Sequence, residues 1–114
     1  MHLFTYGTLM NPKLMEQLLG VSYETKSFLL TNYQRTALRE RQYPGLIYKK
    51  GQTTEGIIYL NIEPGDFEIL DDYEGTEYER IEVDKDIQTY LYVGSPNMIL
   101  NLPWRFTEMD KSKT

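Results

Sequence analysis

At 114 residues, 40% of them hydrophobic, the chain has the material for one domain around a single core. Its net charge of −5 argues against general nucleic-acid or anionic-membrane binding, which both need a basic face, and turns attention to small molecules. With no cysteine and His2 as the single histidine, disulfides, thiolate sites and multi-histidine metal sites are excluded, and a Ser-His-Asp triad is disfavoured, which leaves carboxylates, hydroxyls and backbone for any catalysis.

The first predicted strand, residues 2–6, runs straight into Tyr6-Gly7-Thr8-Leu9 and then into Asn11-Pro12, a helix start. Gly7 permits a tight turn in which backbone N–H groups converge, Thr8 adds a hydroxyl, and the following helix brings its positive dipole end nearby. Such a turn suits a carboxylate or phosphate; the plainer alternative is that Gly and Thr only redirect the chain. Asn11 is a good N-cap with Pro12 at the first helical position, Leu14, Met15, Leu18 and Leu19 make an apolar stripe, and Gly20 ends the helix.

Residues 24–30 and 33–38 then read as two strands, and Tyr43-Pro44-Gly45 as a turn. Residues 46–49 and 53–62 flank Lys50-Gly51-Gln52, the pattern of a hairpin. A second helix opens at Glu63-Pro64-Gly65-Asp66, runs to Tyr73 or Glu74, and is stopped by Gly75. Residues 78–84 and 89–93 are the last strands, separated by a polar turn at 85–88. Residues 102–106 form a candidate docked segment, in which Trp104 is either an anchor to the core or a pocket wall, and residues 110–114 read as a frayed tail. The ten tyrosines fit strand composition or pocket walls with a hydroxyl at the tip.

The expected architecture is therefore α+β: one domain over residues 1–109 and a flexible tail over 110–114, with two or three short helices set among six or seven strands of a small mixed sheet curled toward a β-barrel. No run of about 18 apolar residues and no basic-then-apolar N-terminus occur, so neither a membrane span nor a signal peptide is expected, and the expected location is the cytoplasm.

Well over half of the 17 acidic residues fall within residues 63–86. On a helical wheel at about 100° per residue, Phe67, Leu70, Tyr73 and Ile69 share one arc, while Glu68 and Asp72 point the other way. Glu74 falls between Phe67 and Leu70, so its carboxylate projects from the buried face at the last turn. A carboxylate facing an apolar interior loses hydration, which raises its pKa and prepares it to exchange protons near neutrality. The other reading is that Glu74 pairs with Arg80 or caps a neighbouring backbone group. Metal binding by Asp71, Asp72 and Glu74 is a weaker third, because the spacing lacks the alternate-position ligands of a calcium loop and no histidine is near.

Four motifs, in order, resemble a known family. Phe4-Thr5-Tyr6-Gly7-Thr8-Leu9-Met10 is similar to the N-terminal Tyr-Gly-Ser/Thr-Leu signature of the γ-glutamylcyclotransferase-like (AIG2-like) proteins. Leu70-Asp71-Asp72-Tyr73-Glu74-Gly75 with Tyr78-Glu79-Arg80 is similar to the second signature, and Tyr43-Pro44-Gly45-Leu46 and Glu55-Gly56-Ile57-Ile58-Tyr59 to the pattern between them. The resemblance covers about residues 2–93. It implies a small β-barrel flanked by helices that converts γ-glutamyl amines or γ-glutamyl amino acids into 5-oxoproline and the freed amine, with no cofactor and no metal. It also implies that Tyr6, Gly7, Thr8 and Leu9 bind the glutamyl end, that Glu74 is the acid/base, and that Tyr78 is a pocket tyrosine.

That chemistry agrees with the residues. The substrate's α-amino group must lose a proton before attacking its own γ-carbonyl and the leaving amine must gain one, so one carboxylate serves both steps. Attack is intramolecular, and the protein's tasks are to fold the substrate for ring closure and to hold its α-carboxylate at the amides of residues 7–9. Those amides, nearby hydroxyls or Tyr78 are candidate oxyanion partners. Two other readings stay open: a non-catalytic carboxylate-binding module in which Glu74 is the structural partner of Arg80, and an amide hydrolase that uses water in place of the α-amine. The expected partner is a small γ-glutamyl molecule, not nucleic acid or membrane, and the sequence leaves the oligomeric state open.

Overall fold

A computed structural model describes residues 1–104; the expected domain end at 109, the tail, and Arg105 and Phe106 of the candidate docked segment lie outside the described residues. In chain order the elements are β1 (His2–Thr5), α1 (Pro12–Leu19), β2 (Thr25–Ala37), β3 (Pro44–Tyr59), α2 (Pro64–Glu74), β4 (Tyr78–Asp84) and β5 (Ile87–Tyr92), with 3₁₀ turns at Thr8–Met10 and Pro96–Met98. No helix among the described residues is long and apolar enough to cross a membrane.

The strands form one mixed sheet in the order β2-β3-β1-β5-β4. β1 lies in the middle, antiparallel to β3 and parallel to β5. Because side chains alternate across a strand, its neighbours Leu3 and Phe4 serve opposite faces, and both are fully buried. Leu3 joins Met15, Leu19, Phe67 and Leu70 in a core beneath the two helices. Phe4 joins Tyr6, Leu30, Leu46, Ile58 and Ile87 in a second core made by the strands and the Tyr6 turn, with no helix residue in it. The sheet is open: the pairings run from β2 to β4, and none joins those two outer strands among the described residues, so the expected barrel closure is not seen. At its far end β2 is bordered instead by the chain after the second 3₁₀ turn, where Ala37 N donates to Leu102 O at 2.9 Å and Leu100 N to Ala37 O at 3.1 Å.

Among the described residues, five strands replace the expected six or seven. Residues 24–30 and 33–38 merge into β2, and 46–49 and 53–62 into β3, because the two elements pair with each other along their whole length. The Lys50-Gly51-Gln52 segment is therefore an irregularity within β3 and not a hairpin turn. The register shifts between Thr31 and Tyr33, where Asn32 takes φ 69° and its Oδ1 accepts from Gly51 N at 3.0 Å. The turn between β4 and β5 narrows to Lys85-Asp86, and Asp86 takes the left-handed conformation at φ 60°.

Both helices follow their local signals. Asn11 Oδ1 accepts from Lys13 N at 3.0 Å, Pro12 opens α1, and Gly20 closes it at φ 74°. Met15 and Leu19 are buried, with Leu14 and Leu18 packed beside them. α2 buries Phe67 and Leu70 and ends at Gly75, at φ 79°. Its buried stripe is narrower than expected: Ile69 and Tyr73 stand at 42% and 46% exposure, since they lie roughly 120° or more around the wheel from the Phe67 and Glu74 direction.

Candidate active site

The site gathers where four elements end or begin. β1 ends at Thr5, and Tyr6-Gly7 carries the chain into the 3₁₀ turn Thr8–Met10, where Met10 N donates to Gly7 O at 3.0 Å and Asn11 N to Thr8 O at 3.1 Å. The N–H groups of Thr8 and Leu9 open this turn, where no acceptor exists within the turn itself. Glycine is required at position 7 by close approach: a Cβ there would lie 2.9 Å from both Cδ and Cγ of Pro44. Its φ is −134°, so the expected need for glycine's torsional freedom is replaced by a steric one.

Pro44 opens β3 opposite that turn, and Tyr78 opens β4 beside it, its Oη donating to Pro44 O at 2.7 Å. Tyr43, Tyr78 and Tyr92 follow one another as a row of rings, 6.3 and 5.9 Å apart between centroids. The last turn of α2 supplies Glu74, just before Gly75 ends the helix. A cavity of about 550 Å³ lies between these pieces. All six residues expected from the sequence, Tyr6, Gly7, Thr8, Leu9, Glu74 and Tyr78, line it.

Glu74 is half-buried, and among the described residues no hydrogen bond or salt bridge engages its carboxylate. Burial first, and then the negative charge of Asp71, push its pKa up to about 7. The expected alternative partner, Arg80, is taken elsewhere: its Nε and Nη2 meet the two carboxylate oxygens of Asp71 at 2.9 and 3.1 Å, and its guanidinium lies 4.3 Å from the centre of the Phe67 ring. Tyr6 is buried, and its Oη donates to the Tyr90 carbonyl at 2.6 Å. Burial and the facing Glu74 charge push the hydroxyls of Tyr6 and Tyr78 well above the usual phenol range, so both stay protonated donors.

The supporting framework is also specific. Arg35 Nη1 donates to Tyr6 O at 2.8 Å, and Tyr59 Oη donates to Leu9 O at 2.7 Å, so two carbonyls of the Gly7 loop are held from behind. Trp104 anchors the C-terminal segment by donating from Nε1 to Gln42 O at 2.9 Å, which places it behind the cavity lining and not in it. Sequence reasoning left Gln42, Tyr43, Tyr73 and Tyr90 out of the site although all four line the cavity. Position in the Tyr43-Pro44 turn and in the second signature was the available signal for Tyr43 and Tyr73; nothing local marked Tyr90. No group of three or more His, Asp or Glu side chains among the described residues is placed to hold a metal ion.

The fold and cavity define a small α+β domain whose cavity carries one carboxylate, Glu74, among its described lining residues. The chain belongs to the gamma-glutamyl cyclotransferase, AIG2-like family, whose profile matches residues 3–106. AIG2-like protein D of Arabidopsis thaliana is 32% identical over 98 residues, covering 79% of this chain and 64% of that protein, so the chain spans just under two-thirds of this relative's length. A solution structure from Arabidopsis thaliana superposes with a TM-score of 0.74 at 25% identity, over 98% of this chain and 79% of that one. A solved gamma-glutamyl cyclotransferase shares the fold with a TM-score of 0.68 at 14% identity, over 82% of this chain and 66% of that one.

Proposed function

We propose that the chain is a γ-glutamyl cyclotransferase that releases 5-oxoproline from a γ-glutamyl amine or γ-glutamyl amino acid. The observation that carries this reading is that Glu74, unpaired and with its pKa raised to about 7, shares one cavity with the loop of residues 6–9. The substrate's α-carboxylate sits at the Thr8 and Leu9 amides, Tyr6 and Tyr78 wall the glutamyl chain, and the α-amine faces Glu74. Glu74 takes a proton as the amine attacks the γ-carbonyl and returns it to the leaving amine when the C–N bond breaks. The ring forms within one molecule, so positioning supplies much of the acceleration.

The binding-module alternative made Glu74 the partner of Arg80, and Asp71 holds that place. The deciding experiment is 5-oxoproline release from a panel of γ-glutamyl amines and amino acids. Glu74→Gln should lower turnover by about 10²- to 10⁴-fold with the fold intact. Unchanged turnover would remove the assignment, and turnover of a substrate with a blocked α-amine would indicate a hydrolase.

A further inference from the structure

Behind the Glu74 wall runs a chain of contacts that the proposed reaction leaves unused. Asp71 lies one helical turn before Glu74, the i, i+3 spacing that puts two side chains side by side. Arg80 of β4 grips it with a two-point fork, and Arg80 Nη1 is itself held by Gln88 Oε1 of β5 at 2.5 Å. Tyr90 of β5 donates from Oη to Asp71 Oδ1 at 2.6 Å, while its main-chain carbonyl accepts from Tyr6. The end of α2 is thus tied to the Gly7 loop through one tyrosine.

We propose that Asp71 is the positioning residue of this site: clamped by Arg80 and Tyr90, it fixes the last turn of α2 against the cavity and sets its negative charge beside the Glu74 carboxylate. The inference rests on the function proposed above for Glu74. A simple structural ion pair on a helix would be satisfied by one cation. Here three donor atoms, from one residue on each of two strands, converge on one carboxylate, and one of the two residues, Tyr90, lines the substrate cavity. Asp71 and Arg80 also line a second, more open depression together with Tyr78 and Tyr90, so the clamp reaches solvent while Glu74 faces the cavity. The groups facing Glu74 are Asp71 on its own helix, Tyr6 after β1, Tyr78 in β4 and Tyr90 in β5. The three tyrosines stay neutral, which leaves Asp71 as the carboxylate of the set that acts on Glu74.

The test is a carbon-13 NMR titration of the Glu74 carboxyl, assigned by its loss in Glu74→Gln, alongside kcat and KM for 5-oxoproline release. Asp71→Asn keeps the side-chain shape and removes the charge, so the Glu74 midpoint should fall by about half a unit to one unit, with kcat reduced and KM little changed. Arg80→Gln uncovers the Asp71 charge, and the midpoint should rise. Lost kcat with an unmoved midpoint in Asp71→Asn would show a structural role only and overturn the proposal, as would a midpoint that ignores both substitutions. If Asp71→Asn does not fold, the direction of the Arg80→Gln shift decides by itself. Shifted midpoints in a protein that releases no 5-oxoproline would overturn the proposed reaction and leave the role of Asp71 standing.

Discussion

The Tyr78 hydroxyl donates to the Pro44 carbonyl across 2.7 Å, joining the start of β4 to the start of β3 at the rim of the cavity. The same Pro44 ring packs against Gly7, so one hydrogen bond braces the loop that holds the substrate's carboxylate in the proposed reaction. It also commits the Tyr78 proton to the protein, which favours the loop amides over Tyr78 as oxyanion donors.

Tyr78→Phe should therefore act through shape. The lost hydrogen bond is worth about 1 kcal/mol, measurable as a lowered denaturant midpoint. Turnover should drop far less than in Glu74→Gln. A loss equal to that of Glu74→Gln would make Tyr78 a participant in the chemistry.

The acid side of the rate profile should report Glu74. As a base it must be unprotonated in the free enzyme, so kcat/KM should rise about tenfold per pH unit up to about pH 7 and then level. A profile flat between pH 5 and 8 would contradict this.

Stability should run the opposite way. The folded pKa of about 7 lies above the ordinary 4.5, so between these values the native state binds more protons than the unfolded chain. Stability from this group is fully present below 4.5 and lost as pH rises through 7. Glu74→Gln removes the buried charge and should raise stability at pH 8 by up to about 3 kcal/mol, less whatever water in the cavity screens, with little change at pH 4. Scanning calorimetry at the two pH values separates this from an ion-paired Glu74, whose removal would destabilise at pH 8.

Gly7→Ala tests the packing of the loop. Its methyl group would press on two ring carbons of Pro44 at 2.9 Å, which should cost about 1 to 3 kcal/mol. Displacing the amides should raise KM more than it lowers kcat. Unchanged KM would mean that the loop does not seat the substrate.

Much of this site was legible because its signals are local. The Asn11 cap, Pro12, Gly20 and Gly75 bound the helices within a few residues of the groups they act on. The placement of Glu74 on the buried stripe followed from the 3.6-residue period alone. The strand count was not legible: Lys50-Gly51-Gln52 has the composition of a turn, and only pairing of β3 with β2 on both sides of it makes the segment an irregularity in one long strand. The exposed Ile69 and Tyr73 have the same origin, since hydrophobicity marks an arc while the packed neighbour decides which part of it is covered.

The sequence by itself determined the α+β class, both helices, the turn at Tyr6-Gly7-Thr8-Leu9 and the carboxylate that faces inward, because each depends on torsional preference and periodicity over one element. Only the tertiary structure decided that Arg80 takes Asp71 and leaves Glu74 unpaired, that Gly7 answers to Pro44, and that Tyr90 links Tyr6 to Asp71. Those choices are made between groups up to 84 positions apart, where distance and burial, which spacing along the chain does not carry, select the partner.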